Sequence, residues 1–253
     1  MSALHATDLL FPDWPAPANV KAAITTRAGG VSVAPYDSLN LGTHVGDDAG
    51  AVAENRRRLQ TFLGCQAAWL NQVHGVAVAP ADPTQTLTAD ASWSATPGIA
   101  CTIMTADCLP VLFCNRAGTR VAAAHAGWRS LVGGVLEASV TALACAPREV
   151  LVWLGPAIGP RAFEVGAEVR AAFVACHPQA AAAFVPSINS GRFMADLYQL
   201  ARVRLAAVGV TAVYGGERCT FTEEAHFFSY RRTAQTGRLA SLIWLDVNQS
   251  SSP

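Results

Sequence analysis

The chain has 253 residues, 51% of them hydrophobic and 14% charged, and its 18 basic residues balance its 18 acidic ones. Such a chain can bury a substantial core, and its neutral charge argues against nucleic acid or an anionic membrane surface as the main partner. It has no apolar run of the roughly 18 residues that a membrane span needs and no N-terminal secretory pattern. Its seven scattered cysteines fit reduced thiols. We therefore expect a cytoplasmic protein.

The predicted elements alternate along the chain. A strand over 20–26 is followed by a helix over 49–63, which begins at the caps Asp47/Asp48 and ends at Gly64. Strands follow over 69–73, 99–105 and 110–115, and a hairpin turn leads into another over 120–124. The remaining elements are a helix over 128–144, a strand over 150–154, helices over 168–176 and 195–208, and strands over 211–214 and 238–245. We therefore expect one α/β domain over 1–253, with a mixed β-sheet core flanked by helices, a lead-in at about 1–18 and a tail at 247–253.

Three soft-metal ligands stand out: His74, Cys108 and His125 each follow a strand-like run and have Gly or Pro nearby. Their spacing is no compact zinc signature, and a single His or Cys beside apolar residues is usually part of the core. The flanking sequence favours a site, because the ends of strands present functional groups rigidly. Two imidazoles and one thiolate suit tetrahedral zinc and leave the fourth position open, which indicates catalysis.

Two arginines have positions that call for an anion. Arg56 lies on the apolar stripe of the helix over 49–63, so its guanidinium needs an anionic substrate or a structural carboxylate partner. Arg129 opens the helix after His125, where the helix dipole favours an anion over a cation. It either faces a substrate anion or a carboxylate, or is solvated.

Two residues beside the ligands are further candidates. Asp107 could orient a ligand histidine, act as an acid–base group beside bound water, or cap a turn. Gln72, two residues before His74, would share its side of a strand. Gly133 and Gly134, inside the helix over 128–144, indicate close packing or, alternatively, the approach of substrate.

Several motifs together resemble the laccase-domain family, also called multicopper polyphenol oxidase or peptidoglycan-editing-factor proteins. Ser130 replaces the family's usual Gly and Phe163 replaces a common Tyr, and neither is a ligand position. The matching motifs keep one order along the chain, at 25–46, 55–56, 71–75, 105–113, 125–129, 155–166, 219–220 and 227–245.

The resemblance implies an α/β fold with Zn²⁺ held by the positions of His74, Cys108 and His125, and with Arg56 at the site. It also implies purine nucleosides and phosphate as partners: phosphorolysis of adenosine, inosine, guanosine and methylthioadenosine, with deamination of adenosine. Asp107 and Arg56 are then the candidate catalytic residues: Asp107 as the proton carrier, and Arg56, together with zinc, to position phosphate against the ribose C1′. Arg56, Arg129 and Gln72 are candidate substrate contacts. Cu²⁺ could occupy the triad in vitro, because its intrinsic affinity is higher.

Three other functions are alternatives. The first is a zinc-dependent hydrolase that edits peptidoglycan precursors. The second, copper-dependent oxidation of phenols, needs roughly ten histidines, whereas the chain has 6. The third is a non-enzymatic zinc or redox protein that uses Cys101, Cys108 and Cys114 as sensors and has a fourth ligand closing the site. The sequence ranks neither purine nucleosides against cell-wall precursors nor one oligomeric state against another.

Overall fold

A computed structural model describes residues 4–247, so 1–3 of the predicted lead-in and 248–253 of the predicted tail lie outside the described residues. The helices are α1 (Ala49–Leu63), α2 (Trp128–Gly133), α3 (Val135–Ala142), α4 (Ala167–Cys176) and α5 (Leu197–Ala207). The strands are β1 (Leu9–Leu10), β2 (Val20–Thr25), β3 (Gln66–Ala68), β4 (Leu70–Asn71), β5 (Val78–Pro80), β6 (Leu87–Thr88), β7 (Ala91–Ser94), β8 (Ile99–Thr105), β9 (Leu109–Asn115), β10 (Val121–Ala126), β11 (Val150–Leu154), β12 (Glu164–Gly166), β13 (Phe184–Pro186), β14 (Arg192–Ala195), β15 (Ala212–Gly215) and β16 (Leu239–Leu245).

Two large mixed sheets form the centre of the fold. The five-stranded sheet has the order β1-β2-β16-β8-β3, and the six-stranded sheet has the order β15-β11-β9-β10-β7-β5. The pairs β3/β8, β11/β15 and β5/β7 are parallel, and the other pairs in these two sheets are antiparallel. The predicted α/β class with a mixed sheet is confirmed, although the strands form two central sheets.

The two sheets pack face to face between outer layers of helix. Ile103, Leu112 and Ile243 belong to the core between the sheets. The other face of the five-stranded sheet is covered by α1 through Leu59, and that of the six-stranded sheet by α2 to α5, for example through Leu131. Because both faces of each sheet are covered, a central strand such as β9 is buried at every position.

The predicted helix over 128–144 is wrong as one element. Gly134 has φ +103° and separates α2 from α3, while the apolar pattern continues across the break, so periodicity alone predicted one helix. Gly133 does pack closely: a Cβ there would lie 2.8 Å from Cγ1 of Val76. The helix over 49–63 has the predicted bounds, with the Asp48 carboxylate accepting from the Ala51 amide at 2.8 Å and Gly64 ending it at φ 66°.

Shorter elements complete the fold. Of the strand predicted over 69–73, only β4 forms, and it ends before Gln72; β3 precedes the predicted range. A three-stranded sheet of order β12-β14-β13 and the pair β4-β6 were not predicted, because strands of two to four residues carry little periodic signal. Within residues 4–247, no helix combines the length and the apolar character needed to cross a membrane.

Candidate functional site

The three predicted metal ligands converge beside the junction of the two sheets. His74 follows β4, Cys108 lies in the turn from β8 to β9, and His125 lies near the end of β10. Their ligand atoms all lie within 4.8 Å of one another, and the Sγ of Cys108 is 3.8 Å from Nε2 of His74. Donors on one tetrahedral zinc lie about 3.5 Å apart. The donor set and its spacing therefore fit zinc, and residues 4–247 contain no second cluster of this kind.

Two turns of the site have left-handed backbone at residues other than glycine. His74 has φ 60° and Asp107 has φ 100°, a region that side chains with a Cβ rarely adopt. Each such residue costs about 1–3 kcal/mol and persists only where its surroundings fix it. Surrounding hydrogen bonds must therefore hold both turns.

A buried carboxylate that the sequence did not reveal holds the first turn. Asp90 is fully buried; its Oδ1 lies 2.8 Å from Nδ1 of His125, and the carboxylate also accepts from the backbone amides of 73–75. The carboxylate bonded to a ligand histidine is thus Asp90, at His125, whereas the bonds of Asp107 go to other residues. No local sequence pattern could identify Asp90 as a partner of the histidines, because it is distant in sequence from both.

Asp107 fixes a different part of the site. Its Oδ1 accepts from Thr220 Oγ1 at 2.6 Å, and its Oδ2 accepts from Ser229 Oγ at 3.0 Å and from the Arg231 amide at 2.6 Å. These bonds attach the segment over 220–231 to the turn that carries Cys108. Asp107 also lines the cavity described below.

The electrostatics of the triad favour a thiolate. Burial would raise the pKa of the Cys108 thiol, but the charge of His125 and hydrogen bonds from both histidines lower it to about 6. Burial would lower the pKa of His125, but the negative charge of Cys108 and the bond to Asp90 raise it to about 9. These interactions favour the thiolate form of Cys108, which is the form that binds a metal.

Gly127 provides the room in which the ligands meet. A Cβ at this position would lie 2.8 Å from Cδ2 of His74 and 3.0 Å from Sγ of Cys108. Its backbone, with φ −57° and ψ 154°, is open to any residue. The glycine is therefore needed for space beside the ligands and not for its conformational freedom.

A cavity of about 660 Å³ opens over the triad. This volume is within the usual range for sites that bind small molecules. Apolar side chains form part of its wall, and charged or polar side chains form the rest. The former include Met104, Ile158, Phe163 and Tyr230, and the latter include His44, Gln72, Arg231 and Arg238.

Arg238 brings positive charge to this wall, with the imidazole of His44 on the same wall, and the sequence reasoning missed both. Burial lowers the pKa of Arg238, and the negative charge of Cys108 partly offsets this effect. Burial, Arg238 and Arg56 all lower the pKa of His44. Among residues 4–247, no carboxylate forms an ion pair with Arg238. An anion in the cavity would therefore be attracted to this wall.

Arg56 lies behind the cavity wall and not in it. Its Nε and Nη2 donate to the carbonyl of Leu41 at 3.0 and 2.8 Å, and its guanidinium lies 3.8 Å from the ring centroid of Trp69. Burial lowers its pKa to about 10. Among the described residues, a backbone carbonyl and an aromatic face stabilise this cation in place of the structural carboxylate that was one of the two expected partners. Arg56 thereby supports the loop that carries His44.

The other predicted contacts are placed less favourably. Arg129 is exposed, outside the cavity wall, and stacks 4.4 Å from the ring centroid of Trp128. Gln72 lines the cavity, but its amide exchanges two bonds of 2.8 Å with the backbone of Met104. Because β4 ends at Asn71, Gln72 does not share a strand with His74.

The candidate sensor cysteines differ sharply from Cys108. Cys101 and Cys114 are fully buried, and burial raises the pKa of each to about 12. Buried thiols with raised pKa values are inert to oxidants and to exchange. The site also offers no fourth protein ligand among the described residues. Both observations argue against the non-enzymatic redox hypothesis.

Comparisons with known proteins identify the family of the chain. The family model described as multi-copper polyphenol oxidoreductase laccase matches residues 21–246. A protein of Pseudomonas aeruginosa named purine nucleoside phosphorylase is 70% identical over 236 residues, 93% of this chain and 98% of that protein. Escherichia coli purine nucleoside phosphorylase YfiH is 58% identical over 241 residues, 94% of this chain and 98% of its own length.

Solved structures share the fold. A crystal structure of a Neisseria meningitidis protein superposes with a TM-score of 0.92 at 57% identity, covering 94% of this chain and 99% of that one. The structure of YlmD from Geobacillus stearothermophilus gives a TM-score of 0.89 at 32% identity, covering 96% of this chain and 98% of its own.

Proposed function

The chain belongs to the multi-copper polyphenol oxidoreductase laccase family, and we propose that it is a zinc-dependent purine nucleoside phosphorylase that also deaminates adenosine. Adenosine, inosine, guanosine and methylthioadenosine are the proposed substrates, with phosphate as the second reactant. The observation that carries the proposal is the His74–Cys108–His125 triad, which faces a cavity whose wall includes Arg238, a cation without an ion-pair partner among residues 4–247. Relatives that cover nearly the whole chain bear the phosphorylase name.

The number and type of candidate metal ligands favour this function over the oxidation that the family name describes. A four-copper oxidase needs a histidine-rich trinuclear cluster beside a His₂Cys centre. Residues 4–247 hold a single candidate metal cluster, with two histidines and one cysteine. That donor set suits one zinc ion with an open position.

Phosphate binding is assigned to the cationic wall. The Arg238 guanidinium can contact two phosphate oxygens at once, which is the geometry that arginine prefers for this group. His44 supplies a second donor, and Arg56 positions His44 through its bonds to Leu41. Zinc bound at the triad would act as a Lewis acid next to the reacting oxygens.

The purine base is assigned to the apolar part of the wall. Phe163 and Tyr230 offer aromatic faces, and Met104 and Ile158 add flexible and branched apolar surface. For deamination, we assign proton transfer to Asp107. Its Oδ1 accepts a single hydrogen bond, from Thr220, so one lone pair stays free toward a substrate.

Elemental analysis combined with an adenosine assay tests the proposal. We expect one zinc per chain, release of adenine that depends on phosphate, and release of inosine without phosphate. Cys108→Ala should lose both metal and activity, whereas the exposed Cys176→Ala should keep both. Zinc without purine turnover would favour the editing of peptidoglycan precursors, and a protein that binds no metal would refute the proposed site.

A further inference from the structure

We infer that Asp90 is the positioning residue that brings His74 and His125 together as metal ligands. The inference rests on the metal site of the proposed function. Asp90 is not itself a ligand, and its carboxylate is fully buried. Its bonds reach both ligand-bearing segments, which come from different parts of the chain.

The first set of bonds orients the His125 ring. The carboxylate Oδ1 lies 2.8 Å from Nδ1 of His125, and both side chains are almost fully inaccessible to solvent. A carboxylate acceptor holds the proton on Nδ1, so Nε2 is the nitrogen that gives up its proton to bind a metal. The amide of His125 also donates to the Asp90 carbonyl at 2.7 Å, so ring and backbone are fixed by one residue.

The second set of bonds shapes the turn that carries His74. Oδ2 accepts from the amides of Val73 at 3.1 Å and Gly75 at 2.6 Å, and Oδ1 accepts from the amide of His74 at 2.9 Å. Three successive amides directed at one anion form a concave anion-binding turn. This turn holds His74 at φ 60°, which directs its imidazole toward Cys108.

A purely structural role would have a different consequence. If the carboxylate only satisfied buried amides, its loss would lower stability and leave the geometry of the ligands in the folded protein unchanged. Because the same two oxygens contact both histidine segments, loss of their charge should instead separate the two ligands. Metal affinity therefore distinguishes the two roles.

Asp90→Asn tests the inference with little change in side-chain shape. The Asn side chain has a single acceptor oxygen, so it cannot accept from the backbone amides of 73–75 and from the His125 ring together. Zinc affinity should therefore fall about 10–100-fold, the usual cost of losing the hydrogen-bond partner of a metal ligand. Zinc affinity is measured by competition with a chelating dye. Co²⁺ then serves as a spectroscopic probe, and its absorption should lose the intensity typical of tetrahedral sites.

Glu137→Gln is the matched control. It removes a carboxylate that lies 2.6 Å from Nε of Arg204, in an ion pair that includes none of the three metal ligands. It should lower the melting temperature while zinc affinity and the Co²⁺ spectrum stay at the values of the unmodified chain. The comparison separates loss of a partly buried carboxylate from loss of ligand positioning.

The outcomes are distinguishable. If the unmodified chain binds no zinc, the proposed metal site fails and the inference fails with it. If that chain binds zinc and Asp90→Asn binds it within threefold, with the same Co²⁺ spectrum, the inference alone is overturned. Should the variant not fold, NMR of the zinc-loaded unmodified chain decides: a slowly exchanging, downfield Nδ1 proton on His125 supports the inference, and its absence overturns it.

Discussion

Substitution of Gly127 by alanine should weaken metal binding without unfolding the protein. The new Cβ would lie 2.8 Å from Cδ2 of His74, whereas ordinary contacts begin at 3.4 Å. The ring must therefore move by about 0.6 Å, several times the roughly 0.2 Å that metal–ligand distances tolerate. We expect at least a tenfold rise in the zinc Kd, equivalent to about 1.4 kcal/mol.

The metal-free protein should tolerate the same change. The backbone of Gly127, at φ −57° and ψ 154°, suits alanine, and a compatible Gly→Ala substitution typically stabilises by about 0.4–1 kcal/mol. His74 is exposed and can turn away when no metal holds it. Melting curves with and without zinc should thus show a normal metal-free transition and a reduced zinc-induced shift.

The nearby Gly75→Ala is the control for the Gly127 experiment. A Cβ at Gly75 has its nearest neighbour, Oδ2 of Asp90, at 3.4 Å, which is ordinary contact. Zinc affinity should then stay within threefold of the unmodified chain. An unchanged zinc Kd in Gly127→Ala would refute the reasoning, because it would mean that the ligands do not converge beside this residue.

Three further predictions concern the cationic wall. Arg238→Ala should raise the KM for phosphate roughly tenfold or more and leave phosphate-free deamination unchanged. Substitution of the exposed Arg129 by alanine should change neither quantity. Equal effects of the two variants would contradict the assignment of phosphate binding to Arg238. Bound phosphate should raise the lowered pKa of His44, because a nearby anion stabilises the imidazolium. An NMR titration that shows no upward shift would exclude contact between phosphate and His44. Arg56→Lys should lower the free energy of unfolding, measured in urea, by about 1–3 kcal/mol. Lysine cannot reproduce the paired donors to the Leu41 carbonyl or the stacking on Trp69. Unchanged stability would argue against a role of Arg56 in supporting this loop.

The metal triad was predictable because its neighbours in sequence show the strands that position it. Cys108 lies between two strands, β8 and β9, whose apolar runs predict them almost to the residue. Asp90 and Arg238 were not predictable in this way. Their partners are far away in the chain, and an aspartate or arginine beside a strand has the same local pattern whether it is solvated or buried in a site.

Other differences have physical reasons of the same kind. The apolar pattern of 128–144 continues through Gly134, so the break between α2 and α3 depends on a left-handed glycine that periodicity does not detect. Arg56 was expected to need an anion, but a carbonyl and an indole face satisfy it, and the choice between such partners is made by tertiary packing. The prediction of one domain over 1–253 stays a prediction.

The central position of β16 has a consequence for the order of events during synthesis. This strand, Leu239–Leu245, lies between β2 and β8 in the five-stranded sheet, although it is translated after all three ligands. At roughly 5–20 residues per second, several seconds separate the emergence of His125 from that of this strand. A nascent chain stalled before β16 should therefore expose a reactive Cys108 to alkylation, and a chain stalled beyond it should protect this thiol once zinc is supplied.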